Sequence, residues 1–416
     1  MSTYYAYQYA RELYGALGVD TDRAMERAAS IPVSIQCWQG DDVLGFETKD
    51  TALSGGIQTT GNYPGRARSI DELRADFEKT MSLVPGKKRL ALHAIYLDSA
   101  EPVSREKQEP KHFDSWIDWA KQQKIGLDFN PTFFSHPKAD GFTLSSPDAS
   151  IREFWIEHGI NSRRIAEHIG KELNDRVLTN FWMPDGYKDI PIDRYAARAR
   201  MAESLDKIFA FPIDDRYNAD SLESKLFGIG LESSTVVSAE FVMGYCAKSG
   251  KMVTFDTGHF HPTELVSEKL SAAMLFYNEV MLHVSRPVRW DSDHVVIFDD
   301  ELRAIAAEII RDGFENRIHI GLDYFDASIN RIAAWTIGIR AMQKALLYAC
   351  LEPTARLKKL ENEGDYTSRL AMLEELKTLP FAAVWDMYCE MQGVPTRDSW
   401  LTDVKCYEAD VLSKRA

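Results

Sequence analysis

The 416-residue chain is 45% hydrophobic and 27% charged, with a formal net charge of −14. This is globular composition, long enough for one large barrel-type domain with extensions or for two smaller domains. The acidic balance repels phosphate backbones and excludes a nucleic-acid binder of ordinary type, and no apolar run approaches the roughly 20 residues of a membrane helix.

Residues 1–30 read as helix, with Asp20 as an N-cap for the second segment. The N-terminus has neither the basic nor the apolar stretch of a signal peptide. From residue 31, short apolar runs alternate with longer helical patterns. The runs are 31–38, 89–97, 125–131, 177–184, 220–225, 251–258, 280–286 and 317–325. Between the last two lies "DDELRAIAAEIIRDG", with Asp299 and Asp300 at its start and Gly313 just past its end. Eight strands alternating with helices predict a (β/α)₈ TIM barrel over 31–326. A doubly wound open sheet is the rival, but "CWQGDDVLG" is not the glycine-rich phosphate turn that fold usually carries. The 40–68 connection is long, polar and rich in Gly and Thr, as a lid over the barrel would be. Residues 327–416 read as successive helices, with Pro380 near a helix start. They form a helical extension suited to oligomer contacts. Five cysteines, Cys37, Cys246, Cys350, Cys389 and Cys406, are far apart and never spaced C-x-x-C. They argue against disulfides and thiolate zinc, and for the cytoplasm.

Chemistry in such a barrel belongs to the C-terminal strand ends. Strand five ends with Glu223 and Lys225, two apart and expected on one face. Strand six ends with Asp256, and His259 follows across a Thr-Gly turn. Strand seven brings His283, and its loop carries Asp291 and Asp293. Strand eight offers Asp323 and Asp326. His93 lies on strand two and Trp182 on strand four. So many carboxylates in one cavity would repel each other unless one or two divalent cations joined them. Five of the ten histidines fall within 259–319. Carboxylates with a minority of imidazoles suit Mn²⁺, Mg²⁺ or Co²⁺ better than a sulfur-loving metal.

At these residues the chain is similar to the xylose isomerase superfamily, and it resembles the bacterial L-rhamnose isomerases more closely. "GGIQTTGNYPG", "GLDFNPTFFSHP", "ESKLFGIG", "DTGHFHPTE", "HVSRPVRWDSDHVV" and "HIGLDYFDASINRIAAW" carry the resemblance, in order, over nearly the whole chain. His283 stands where the superfamily has a carboxylate and Asp256 where it has a glutamate. The resemblance implies interconversion of L-rhamnose and L-rhamnulose, the first step of rhamnose catabolism, with some activity on other aldoses. It implies two divalent metal sites per subunit, with Mn²⁺ the expected ion and Co²⁺, Mg²⁺ or Zn²⁺ as alternatives. One site would use Glu223, Asp256, His283 and Asp323. The other would use His259, Asp291 and Asp293, with Asp256 bridging. Lys225 would polarise the carbonyl oxygen, His93 would assist ring opening, and Trp182 would wall the sugar. The rhamnose methyl group calls for an apolar patch, for which Phe133, Phe134 and the 53–63 loop are candidates. The hydrogen could move as a hydride or through an enediol. A homotetramer is implied as well.

Three rivals fit less well. A metal-dependent endonuclease would need a basic surface. A sugar epimerase on this barrel does not explain Asp291-x-Asp293. A non-catalytic relative would be expected to have lost Lys225 or one of the metal-ligating types.

Overall fold

Eight parallel strands close into a barrel in the computed structural model, which describes residues 3–47, 57, 59–226 and 232–415. They are β1 (Val33–Gln36), β2 (Lys88–His93), β3 (Gly126–Asn130), β4 (Val177–Phe181), β5 (Asn218–Glu223), β6 (Met252–Asp256), β7 (Val280–Val284) and β8 (Ile318–Leu322). Each pairs with its neighbours in sequence, and β1 closes on β8, where Ile35 lies opposite Leu322. The TIM-barrel expectation is borne out strand by strand. β5 begins at Asn218, two residues before the run read from the sequence, because Asn218 and Ala219 still pair with Val177 and Leu178.

Period-two alternation stacks the barrel interior in layers. The floor is apolar: Leu178, Ala219, Met252 and Met281 form a small buried cluster of their own. Two residues further along the same strands come Asn180, Ser221, Thr254 and His283. Glu223 and Asp256, one step higher still on β5 and β6, cap the stack. The alternate residues face the helices. Phe181 meets Phe209 at 5.3 Å between ring centroids, and Asp220 accepts hydrogen bonds from Nε and Nη2 of buried Arg163.

The helices are α1 (Thr3–Ala16), α2 (Thr21–Ser30), α3 (Ile70–Met81), α4 (Asp114–Gln123), α5 (Ala149–Leu173), α6 (Arg194–Ala210), α7 (Ala239–Ser249), α8 (Ser267–Ala273), α9 (Asp300–Arg311) and α10 (Arg331–Cys350). After them come α11 (Thr354–Asn362), α12 (Tyr366–Leu376), α13 (Phe381–Met391) and α14 (Trp400–Asp410). Local chemistry sets their ends. Asp20 and Asp299 accept hydrogen bonds from backbone N–H groups of the first turns of α2 and α9, and Gly313 supplies the positive φ after α9. α10 lies over the β8–β1 seam: Trp335 Nε1 donates to the Gln36 carbonyl at 3.1 Å, and its ring meets Phe77 of α3. The terminal helices share a second core, where Tyr7 and Tyr14 of α1 pack with Trp385 and Tyr388 of α13 against Leu347 of α10. No helix among the described residues is long and apolar enough to cross a membrane.

The 40–68 connection is anchored at both described ends. Arg331 donates to both Asp42 oxygens at 2.7 Å, and Tyr63 N donates to the Ala327 carbonyl at 2.7 Å. Gly61, with φ of 108°, lies so close to Ala327 that a Cβ would sit 2.3 Å from its carbonyl. Residues 48–56 and 58, most of the proposed lid tip, lie outside the described residues.

Candidate active site

Consecutive strand ends bring the predicted donors together. Glu223 ends β5, Asp256 ends β6, His283 precedes the last residue of β7, and Asp323 follows β8. Register sets Asp256 opposite His283 and His283 opposite Gly321. Glu223, Asp256, His283 and Asp323 each offer one ligand atom, all within 4.8 Å of one another. Asp256, His259 and Asp291 form a second such group, so the two share Asp256.

Two loops complete the geometry. After β6 the chain turns at Gly258, whose N–H donates to Asp256 Oδ1 at 2.6 Å. A Cβ on Gly258 would lie 2.4 Å from Asp291 Oδ1, so only glycine lets that carboxylate approach. After β7, Arg286 and His294 form an antiparallel bridge that closes residues 287–293 into a hairpin-like loop. Positive φ at Arg289 and Asp293 folds the loop back over the barrel mouth. The Asp-x-Asp pair is therefore more than a solvated turn. Asp291 joins the second group, and Asp293 lines the same cavity without joining either convergent set.

The electrostatics of the cluster call for a cation. His283 Nδ1 lies 2.9 Å from Asp323 Oδ2 and 3.1 Å from Glu223 Oε2. His259 Nε2 lies 3.0 Å from Asp291 Oδ2. Yet His283 Nε2, His259 Nδ1, Asp291 Oδ1 and Asp323 Oδ1 are buried without a hydrogen-bond partner. Leaving such atoms unsatisfied costs about 1–3 kcal/mol each. Burial, followed by repulsion from Asp291, Glu223 and Asp323 against the attraction of His259, pushes the Asp256 carboxyl well up. Burial and the neighbouring Asp291 and Asp256 charges push Asp293 up too. Burial raises Asp323 against the pull of His283. Burial would also raise Glu223, but His283, His259 and Asn180 hold it below its ordinary range. Burial opposes charge on His259 and His283, but the surrounding carboxylates win and raise both. A divalent cation between these groups would satisfy the orphaned atoms and let the carboxylates ionise together. The oxygen and imidazole donors, with no thiolate among them, fit a Mn²⁺-, Co²⁺- or Mg²⁺-type ion.

The donors line a cavity of about 400 Å³, a size typical of small-molecule sites. Trp38, Ile57, Phe134, Trp182 and Phe325 give it an apolar wall, and Asn130, Thr60, Ser292 and His294 add polar groups. Trp182 is where the sequence reading places it. Four other candidates are not. Phe133 does not reach the cavity: it is fully buried against Trp155, His158 and Phe181, and the next residue, Phe134, lines the wall instead. His93 lies beneath Trp38, with ring centroids 4.3 Å apart, and binds Gln36 Oε1 at 3.0 Å. Burial, then the like charges of His283 and Arg105, push its pKa well down. Lys225 lies past the end of β5, so strand alternation no longer aims it. Its ammonium pairs with Glu232 and donates to the Pro184 carbonyl at 2.7 Å. Asp326 is absorbed in a turn with Ser328. The sequence reading missed Trp38, Asn130 and Phe325 as site residues. Asn130, the last residue of β3, shares the strand-end position that singled out the donors.

The L-rhamnose isomerase (RhaA) family model matches residues 1–415. The L-rhamnose isomerases of Salmonella paratyphi B and Salmonella typhi are each 56% identical over 412 residues, covering 99% of this chain and 98% of theirs. Among solved structures, D-psicose 3-epimerase from Clostridium cellulolyticum H10 is similar at 14% identity and a TM-score of 0.48, over 76% of this chain and 97% of that one. With the family model and these relatives matching from end to end, the chain belongs to the L-rhamnose isomerase family.

Proposed function

We infer that this cavity is where the chain interconverts L-rhamnose and L-rhamnulose, using a pair of divalent cations. One is assigned to Glu223, Asp256, His283 and Asp323. The second is assigned to Asp256, His259 and Asp291, with Asp293 beside them. The observation that carries the reading is the pair of buried donor groups sharing Asp256 at the floor of an apolar-walled cavity.

Moving hydrogen between C1 and C2 builds negative charge on the neighbouring oxygens. Cations held by these residues would supply Lewis-acid stabilisation of that charge and would bring the pKa of water toward neutrality. The protein's own groups do the rest. The donors fix the sugar hydroxyls at one end of the cavity. Trp38, Trp182, Phe134 and Phe325 cover the carbon skeleton, including C6, and exclude water. His294, whose Nδ1 lies 2.8 Å from Ser292 Oγ, and Asp293 offer positions that accept or return a proton at the cavity mouth. His93 acts from behind Trp38, setting the tilt of that ring. Lys225 lies 5.8 Å from the Trp182 ring, so its charge acts on the cavity through that wall. Mn²⁺ is the assigned ion.

A homotetramer in the cytoplasm is the assembly this reading implies. Exposed Tyr4, Tyr5 and Tyr9 on α1 and Leu370 on α12 are apolar surface suited to subunit contacts, and the described cysteines are all free.

The test is a sugar panel on metal-stripped enzyme with Mn²⁺, Co²⁺, Mg²⁺ or Zn²⁺ added back. Turnover is expected to vanish on stripping and to return with Mn²⁺. L-Rhamnose should be preferred over mannose and allose by no more than roughly 10²-fold, the limit an apolar pocket sets against an added hydroxyl, and lyxose, a pentose without C6, should also turn over. Full turnover after chelation, or no preference for L-rhamnose, would refute the reading.

A further inference from the structure

We propose that Ser221, Thr254 and Asn180 form a one-way hydrogen-bond relay that fixes the Glu223 carboxylate for its cation, which makes Asn180 a positioning residue for the reaction. The proposal rests on the reading of Glu223 as a cation ligand.

The relay occupies the middle layer of the barrel, between the apolar floor and the donors. Asn180 Nδ2 lies 2.5 Å from Glu223 Oε2, Thr254 Oγ1 lies 2.7 Å from Asn180 Oδ1, and Ser221 Oγ lies 2.5 Å from Thr254 Oγ1. All four residues are buried. The direction of every proton follows from chemistry. An ionised carboxylate only accepts, so Asn180 must present its amide nitrogen to Glu223. Its amide oxygen then faces Thr254 and can only accept, so Thr254 donates. With that proton committed, Thr254 Oγ1 accepts from the Ser221 hydroxyl. Each hydrogen points toward Glu223, and neither the amide nor the hydroxyls can turn without breaking a link.

Such a layer needs a reason. One layer down, the same strands carry Leu178, Ala219 and Met252, which bury no polar atoms. Polar groups in a dry barrel interior cost free energy unless each is paired, and here the pairing ends on a metal-ligating carboxylate. Partners that orient a ligand in this way are worth about 10–100-fold in metal affinity when removed.

The test is calorimetric titration of Mn²⁺ into EDTA-stripped full-length protein, with melting of the metal-free forms recorded alongside. Asn180→Ala is expected to bind about 10–100-fold more weakly. Thr254→Val should weaken binding in the same direction, and Thr254→Ser, which keeps the hydroxyl, should match the wild type. If Asn180→Ala does not fold, the Val/Ser pair at 254 decides. A purely structural role would lower metal-free melting and leave the Mn²⁺ affinity of Asn180→Ala or Thr254→Val at the wild-type value, which overturns the relay. Glu223→Gln separates the two failures. If it binds Mn²⁺ as the wild type does, the assignment of Glu223 as a ligand fails, and the relay with it. If it loses Mn²⁺ while the relay variants bind normally, the relay alone fails.

Discussion

His283→Ala is expected to reduce turnover of L-rhamnose by roughly 10³-fold, because a site that stabilises transition-state charge by several kcal/mol loses a ligand. The change also removes the imidazole held between Glu223 and Asp323. The remaining carboxylates then face one another with less positive charge to offset them. Metal content by mass spectrometry should fall together with activity. His319→Ala is the control. His319 starts from β8 as well, but it pairs with Glu279 at 2.7 Å, away from the donor cluster. It should keep its metal and its rate. Loss of rate in His319→Ala alone, or full metal content in His283→Ala, would contradict the assignment.

Arg105→Ala is expected to lower the unfolding free energy by about 3–5 kcal/mol, the range for breaking one side of a buried ion pair. Arg105 is 1% exposed. Its Nε lies 3.1 Å from both Glu47 oxygens. Its other nitrogens donate to the carbonyls of Thr132, Phe134 and Ser135. Thr132 and Ser135 both adopt positive φ, a conformation that costs a non-glycine residue roughly 1–2 kcal/mol. The guanidinium thus holds a strained loop in place, and that loop sets Phe134 into the cavity wall. Urea denaturation should show the stability loss. Steady-state kinetics on the folded fraction should show KM rising more than kcat falls, because the wall loosens while the donors stay. A variant as stable as the wild type would show that the loop does not depend on this cation.

The barrel and the donor cluster were both legible in the sequence, for one reason. Strand alternation is local, so a residue at the last inward position of a strand points into the barrel whatever its partners are. Glu223, Asp256 and His283 are read that way, and Asp323 one residue beyond. Where the reading failed, placement depends on a distant segment. His93 occupies an inward position on β2, but the turn that follows β1 supplies Trp38, which covers it. Lys225 follows Glu223 by two, but the strand has ended, and the partner that captures its ammonium, Glu232, comes from further along the chain. Phe133 and Phe134 are adjacent and chemically equivalent. Only the positive-φ turns on either side decide which one faces the cavity. The Asp-x-Asp pair stands out in the sequence and both residues line the cavity, yet the hairpin closed by Arg286 and His294 places Asp291 and Asp293 differently, which spacing alone could not show. The Asn180–Thr254–Ser221 layer left no signal, since a lone Asn or Thr on a strand is common.

The most direct measurement is anomalous diffraction from crystals of the protein soaked in Mn²⁺. Two peaks are predicted. One should lie within roughly 2.0–2.3 Å of ligand atoms from Glu223, Asp256, His283 and Asp323, and the other at the same range from Asp256, His259 and Asp291. No Mn²⁺ peak between these residues, or a peak bound elsewhere while this cluster closes on itself, would contradict the account.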